Sequence, residues 1–272
     1  MSKRKTPRAA GARGPAASRG GTARAHWLWG GHAVLAALDN PRRRVERLVL
    51  AAETAETWEP RLEARVAARP DLPRGWEVMG RPDLERLIGR GAVHQGLALL
   101  AAPAPQPDLD SLLADLPAEA PAVVVLLDQI SDPQNVGAVL RSAAAFGAQA
   151  VITTERHAPG ETGLLAKAAS GGLDLVPFIH VTNLARTLDT LADADVWRLG
   201  LAGEGAAPLP AEQHGLRTAL VLGAEGSGLR RLTREHCDRL VYLPTTAALA
   251  DLNVSNAAAV ALYELLGRSR TA

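Results

Sequence analysis

From Ala122 onward the chain is marked by apolar runs of strand length: "VVVLLD", "AQAVITT", "LDLVPFIHV", "VWRLGLA", "TALVLGAE" and "RLVYLP". Helical stretches separate most of them. Each run is continuously apolar rather than alternating, so each strand must be covered on both faces. That pattern restricts the fold class to α/β, with a mostly parallel sheet between layers of helices. Ligands of such sheets bind beyond the carboxyl ends of the strands. Three polar loops stand at such ends, after Leu127, Leu222 and Leu243.

The first loop runs from Asp128 to Asn135 and opens the helical stretch "DPQNVGAVLRSAAAFG". Asp132 followed by Pro133 is ordinary helix-start chemistry. Arg141 is harder to place. Its neighbours Ala138, Val139, Leu140, Ala143, Ala144 and Ala145 are packing residues, so an arginine there must reach a partner or a cleft. Six helical residues turn the chain by about 600°, which leaves Asn135 and Arg141 about 120° apart. The two converge on one site only if Asn135 lies in the elbow ahead of the helix.

The second loop, "LVLGAEGSGLRRL", has glycines that allow close approach to the backbone. Its spacing is not the dinucleotide fingerprint, and Glu225 stands where a pyrophosphate needs backbone N–H groups. The carboxylate suits a cationic or hydrogen-bond-donating partner; a tight turn with a solvated Glu225 is the alternative. The third loop, "LPTTAALADLNVSNAAAVALYELL", sets Asn253, Ser255 and Asn256 before an apolar helix. One of them suffices as an N-cap, so the cluster is either surplus capping or a polar site. No histidine or cysteine spacing matches a metal site, and no Ser-His-Asp order stands out.

The chain has 272 residues, 47% of them hydrophobic, which suits two domains with real cores. Residues 1–25 are rich in Gly, Ala, Arg and Pro and read as a basic disordered tail. Residues 26–102 read as a compact α/β module. In it "GHAVLAALDN" is a helix and "RVERLVLAAE" a strand; two helical stretches and the strand "GLALLAAP" follow. Residues 103–121 are a Pro-rich acidic linker with a short amphipathic helix, and 122–272 form the parallel-sheet domain. The net charge of +1 hides an asymmetry. Residues 1–26 hold seven basic residues and no acidic one, leaving 23 basic against 29 acidic in the rest, a net of −6. A basic tail on an acidic body suits a partner of nucleic acid; a merely solvated leader is the alternative. The single cysteine, Cys237, excludes a disulfide framework and suits a reducing cytosol. No apolar run reaches the ~18 residues needed to span a bilayer, and no apolar segment marks a secretory signal, so a cytoplasmic protein with no membrane partner is expected.

The three loops together resemble the motifs of the SpoU (TrmH-like) family of RNA ribose 2′-O-methyltransferases, within the SPOUT superfamily. The matching stretches are 132–147, then "LVLGAEGSGLRRLTREHCDRLVYLP" (220–244), then "LNVSNAAAVALYE" (252–264). At the front, "GGHAVLAALDNPRRRVERLVLA" and "HQGLAL" resemble the L30e-like RNA-binding domain of members that modify 23S rRNA guanosine. The resemblance implies a deep trefoil knot, otherwise nearly absent from proteins. It further implies a homodimer, S-adenosylmethionine as cofactor without metal, and methylation of a guanosine ribose 2′-OH in 23S rRNA. On this likeness the backbone around Gly223, Leu243 and Leu252 holds the cofactor, and Asn135, Arg141, Glu225 and Asn253 occupy the catalytic positions. A guanidinium with a pKa above ~12 is an awkward base. Arg141 is therefore expected to bind the phosphate beside the target ribose, with Asn135 and Glu225 holding its rotamer.

The chain departs from the family at Asp251, where a serine usually precedes the Leu-Asn pair. Asp replaces Ser well as a helix cap, but its charge would attract Arg141 or repel RNA phosphate. Two alternatives remain: the same chemistry on tRNA, and a non-catalytic RNA-binding scaffold. A Rossmann-type methyltransferase or dehydrogenase would need a Gly-rich loop where this chain has Asp-Gln-Ile-Ser-Asp-Pro.

The basic leader generates a test of its own. Removing residues 2–23 deletes six of its seven charges. The truncated protein should bind RNA more weakly, with a shallower dependence of affinity on salt, and keep its methylation site. Identical salt slopes for both forms would show that the leader does not touch RNA.

Overall fold

The computed structural model describes residues 24–211, 215–246 and 252–267. The tail segment 1–23 and Asp251 lie outside them. The front unit contains β1 (His26–Trp29), α1 (Gly31–Asp39), β2 (Val45–Ala51), α2 (Ala55–Ala68), β3 (Glu77–Met79), α3 (Arg81–Ile88) and β4 (Leu97–Ala101). Its four strands lie in the order β1-β4-β2-β3. The strand β3 was not anticipated. It has three residues, two of them exposed, too short for any alternation to register. Helix α4 (Leu109–Ala114) follows in the Pro-rich segment, capped by Asp108, whose side chain accepts from Ser111 N at 2.8 Å.

The second unit runs β5 (Ala122–Asp128), α5 (Pro133–Phe146), β6 (Ala150–Thr154), α6 (Gly163–Ala169), α7 (Gly172–Leu175), β7 (Phe178–Val181), α8 (Leu184–Asp193), β8 (Trp197–Leu201), β9 (Ala207–Pro208), β10 (Arg217–Gly223), α9 (Arg231–Glu235), β11 (Arg239–Tyr242) and α10 (Val254–Leu262). Its seven strands lie in the order β7-β6-β5-β10-β8-β11-β9, and each neighbouring pair is parallel. Every residue of β5 and of β6 is buried, as continuous apolar runs require. The stretch "LDLVPFIHV" corrects the expectation of one strand. Its front part is the helical turn α7, begun by Gly171 at φ 98° with Leu173 packed inward, and the strand starts only after Pro177. No helix among the described residues is long and apolar enough to cross a membrane.

Helix α5 shows its sequence logic at both ends. The Asp132 side chain accepts from Gln134 N at 3.0 Å, Pro133 opens the first turn, and Gly147 closes the helix in the left-handed conformation. Val136, Val139, Leu140 and Ala143 face inward and are fully buried. One continuous apolar core links Leu28, Val34 and Leu38 of the front unit to Leu165, Ala169 and Leu173 of the second.

Gly172 backs onto α5 so closely that an added Cβ would stand 2.6 Å from Leu140 O and 3.0 Å from Arg141 N. At an unstrained position Gly→Ala usually adds about 0.4–1 kcal/mol of stability. Here Gly172→Ala should instead cost about 1–3 kcal/mol by overpacking, read as a lower denaturant midpoint. A midpoint at or above wild type would mean that α5 and α7 are free to move apart.

Candidate functional site

Strand order reverses between β5 and β10. The chain proceeds outward from β5 through β6 to β7, then returns to lay β10 against the other edge of β5. Asp128 and Gly223 are register partners at the carboxyl ends of the two strands. Loops diverging from such a point form a crevice. Asp128 is wholly buried and ends an apolar strand, so it needs compensation. Arg230 supplies it: its backbone N donates to Asp128 Oδ2 at 2.9 Å and its Nε to Oδ1 at 2.6 Å. The pair ties the end of the second loop to the root of the first. Sequence reasoning missed it, although a carboxylate closing the run "VVVLLD" signals a need for a cation.

Between those ties Glu225 meets residues from the other two loops. Asn135 Nδ2 donates to Glu225 Oε1 at 3.1 Å. Asn253 Nδ2 donates to the same oxygen at 2.6 Å and to Asn135 Oδ1 at 3.0 Å. Asn253 is also the N-cap of α10: its Oδ1 accepts from Ser255 N at 2.9 Å and from Ser255 Oγ at 2.6 Å. One amide side chain thus closes a helix with its oxygen and holds a carboxylate with its nitrogen. Of the three polar residues in this loop, Asn253 and Ser255 share the cap, Asn253 alone reaches Glu225, and Asn256 is exposed.

Arg141 does not join this cluster. Asn135 lies inside the first turn of α5, not in the elbow before it, so the condition for convergence is not met. The Arg141 side chain is exposed and makes no hydrogen bond or ion pair among the described residues. The expectation that Asn135 and Glu225 hold its rotamer is therefore corrected. They bond to each other and to Asn253, on a different face of the helix.

Beside the cluster opens a cavity of about 600 Å³. Gly223, Leu243 and Leu252 all line it, with Leu201, Leu222 and Val254 adding apolar wall. Gly223 is required there, because a Cβ would overlap the backbone of Gly228. Glu204 and Arg234 stand in the same lining and pair with each other. The hydrogen bond from Arg234 holds the Glu204 carboxyl below its ordinary range. Volume, apolar walls and a few polar groups fit a small organic cofactor. No group of three or more His, Cys, Asp or Glu among the described residues is arranged to hold a metal.

The chain is similar to known proteins along nearly its whole length. The model of the SpoU rRNA Methylase family matches residues 122–263. A 23S rRNA (guanosine-2′-O-)-methyltransferase RlmB from Photorhabdus laumondii is 40% identical over 241 residues, which are 87% of this chain and 96% of that protein. Its counterpart from Pseudomonas aeruginosa is 39% identical over 248 residues, 90% of this chain and 96% of its own. Among solved structures, the SpoU methyltransferase AviRb from Streptomyces viridochromogenes, in complex with the cofactor AdoMet, superposes with a TM-score of 0.73. It is 23% identical and covers 91% of each chain, a likeness of fold.

The double role of Asn253 can be separated by charge. Asn253→Asp keeps a cap acceptor for α10 but places a second carboxylate against Glu225. Like charges at this spacing raise the pKa of at least one of the pair. A group whose folded pKa is raised stabilises the fold below its unfolded pKa and loses that contribution as pH rises. The stability of Asn253→Asp relative to wild type should therefore fall as pH rises through the carboxylate range. Denaturation curves that differ by the same amount at every pH would contradict the contact.

Proposed function

Since the chain belongs to the SpoU rRNA methylase family, we infer that it is an S-adenosylmethionine-dependent RNA methyltransferase acting on a guanosine ribose 2′-OH of 23S rRNA. The observation that carries this reading is the Asn135–Glu225–Asn253 cluster, set at the strand-order reversal on the rim of an apolar cavity of about 600 Å³. Ribose-methylation mapping of 23S rRNA treated with the purified protein tests it. Loss of the same mark in a deletion strain ties it to the cell.

In this reading Gly223, Leu243 and Leu252 hold the adenine and ribose of the cofactor. When bound, that group supplies a methyl on a sulfonium whose charge is lost on transfer, a change that low-polarity walls favour. The chain's own residues orient the acceptor. Glu225 Oε1 is occupied by the two amides, so Glu225 is fixed with Oε2 left for a hydroxyl donor. Arg141 binds the phosphate next to the target ribose through its planar fork. Positioning of this kind supplies several kcal/mol, up to about 7–11, of barrier reduction.

The exposure of Arg141 favours a homodimer. Val260 at 49% and Tyr263 at 50% exposure lie on α10 and the turn after it, packed beside α5. A second copy on this face would cover them and carry Arg141 to the other copy's cluster. Residues 26–102 act as the L30e-like RNA-binding domain, 103–121 as linker and 122–272 as the methyltransferase domain, with a trefoil knot, in the cytoplasm.

Arg141→Lys keeps the charge and loses the fork. Its turnover should fall by more than about tenfold while cofactor affinity stays near wild type. Mixing Arg141→Ala with Asn135→Ala subunits tests the dimer. A site built from both copies regains about a quarter of wild-type activity through mixed dimers, whereas a site within one chain regains none.

A further inference from the structure

Arg43 is a charged side chain sealed inside the protein at 1% exposure. It comes from the front unit and points into the second. Its Nε donates to Asp174 Oδ1 at 2.6 Å, and its Nη1 donates to Glu161 Oε1 and to Ala102 O, the latter at 3.0 Å. Asn40 Nδ2 also donates to Asp174 Oδ1, at 3.0 Å, and His26 Nε2 lies 3.2 Å from Glu161 Oε1. Three front-unit residues and two carboxylates of the second unit thus form one buried polar cluster.

Such a cluster is weak evidence for stability, since apolar side chains of the same volume often serve as well. What it offers is geometry. A guanidinium fork donates to its carboxylates in few arrangements. The surrounding interface is equally restrictive: the Trp29 ring abuts Gly163, with no room for a Cβ, and Lys167 Nζ donates to Gln95 Oε1 at 2.8 Å. The cluster also lies close to the chemistry. Asp174 is on α7, two residues from Gly172, which seats the backbone of Arg141. Glu161 ends the loop after β6, whose Arg156 and His157 are exposed and whose His157 backbone is held at φ 71°.

We propose that Arg43 is a positioning residue for methyl transfer: its pairs with Asp174 and Glu161 fix the front unit in one orientation over α7. RNA held by the front unit then meets the helix of Arg141 in a single register. The proposal rests on the reading of the protein as an RNA methyltransferase. Arg43 bonds to Asp174, Asp174 shares the turn α7 with Gly172, and Gly172 packs against the Arg141 backbone.

The test uses the full-length chain with spin labels at Val93→Cys and Leu216→Cys in a Cys237→Ser background. Both label sites are exposed, at 67% and 52%. Arg43→Lys should broaden the distance distribution between the units. It should raise KM for a 23S rRNA fragment roughly tenfold, with kcat at saturating RNA and cofactor affinity within about twofold of the parent. Glu161→Gln, on the loop, should do the same if Arg43→Lys does not fold. An unchanged distribution overturns the proposal, and so does a broadened one with wild-type KM, since the cluster would then be structural only. A wild type that binds cofactor but methylates no RNA removes the methyltransferase reading itself, and the positioning role with it.

Discussion

The parallel pairing of β5 with β10 is the contact on which the site depends. It brings Asp128 level with Gly223 across 95 positions of sequence. The loops that leave those two strands therefore start side by side and diverge. Asn135 and Glu225 are 90 positions apart and still share a hydrogen bond. The ion pair of buried Asp128 with half-exposed Arg230 reinforces this register, because slipping it would leave a carboxylate uncompensated in the core. Backbone pairing, charge compensation and loop placement are here one constraint expressed three ways.

On that frame the polar cluster is economical. Asn253 serves helix α10 and Glu225 at once, so the geometry of the third loop is tied to that of the second. A side chain held at both ends has little rotamer freedom left to lose when substrate arrives. The cavity beside it is built from the same loops, so its shape is tied to the same hydrogen bonds. Arg141 stands apart from this economy. Its side chain is exposed and has no partner among the described residues.

The front unit is joined to the second by chemistry that specifies an orientation. Its apolar core is continuous with that of the second unit, and the Arg43 cluster crosses the same boundary. The Pro-rich segment between the units is itself pinned, with Gln106 Oε1 accepting from Phe178 N at 2.9 Å. A front unit fixed this way presents one face to the second unit in a single orientation.

The amino-acid sequence by itself determined the α/β class, the parallel sheet and the three loops at its carboxyl edge. These follow from local signals: unbroken apolar runs, Asp-Pro and Asn helix starts, glycines in tight turns. The same signals marked Glu225 as a carboxylate among glycines, and Asn253, Ser255 and Asn256 as more polar groups than one cap needs; Asn135 was marked as a site residue only by the family resemblance. They did not reveal the two-residue β9 or the helical turn α7, because such short elements have no period to read. Only the tertiary structure decided the strand order, and with it which loops are neighbours. It alone separated Arg141 from the cluster, by making Asn135 part of the helix and so fixing their angular offset. It alone brought Arg43 to Asp174 across 131 positions. Composition and periodicity describe which face of an element is apolar. Which faces meet is set by pairing and packing between segments far apart in the chain, and no local pattern carries that information.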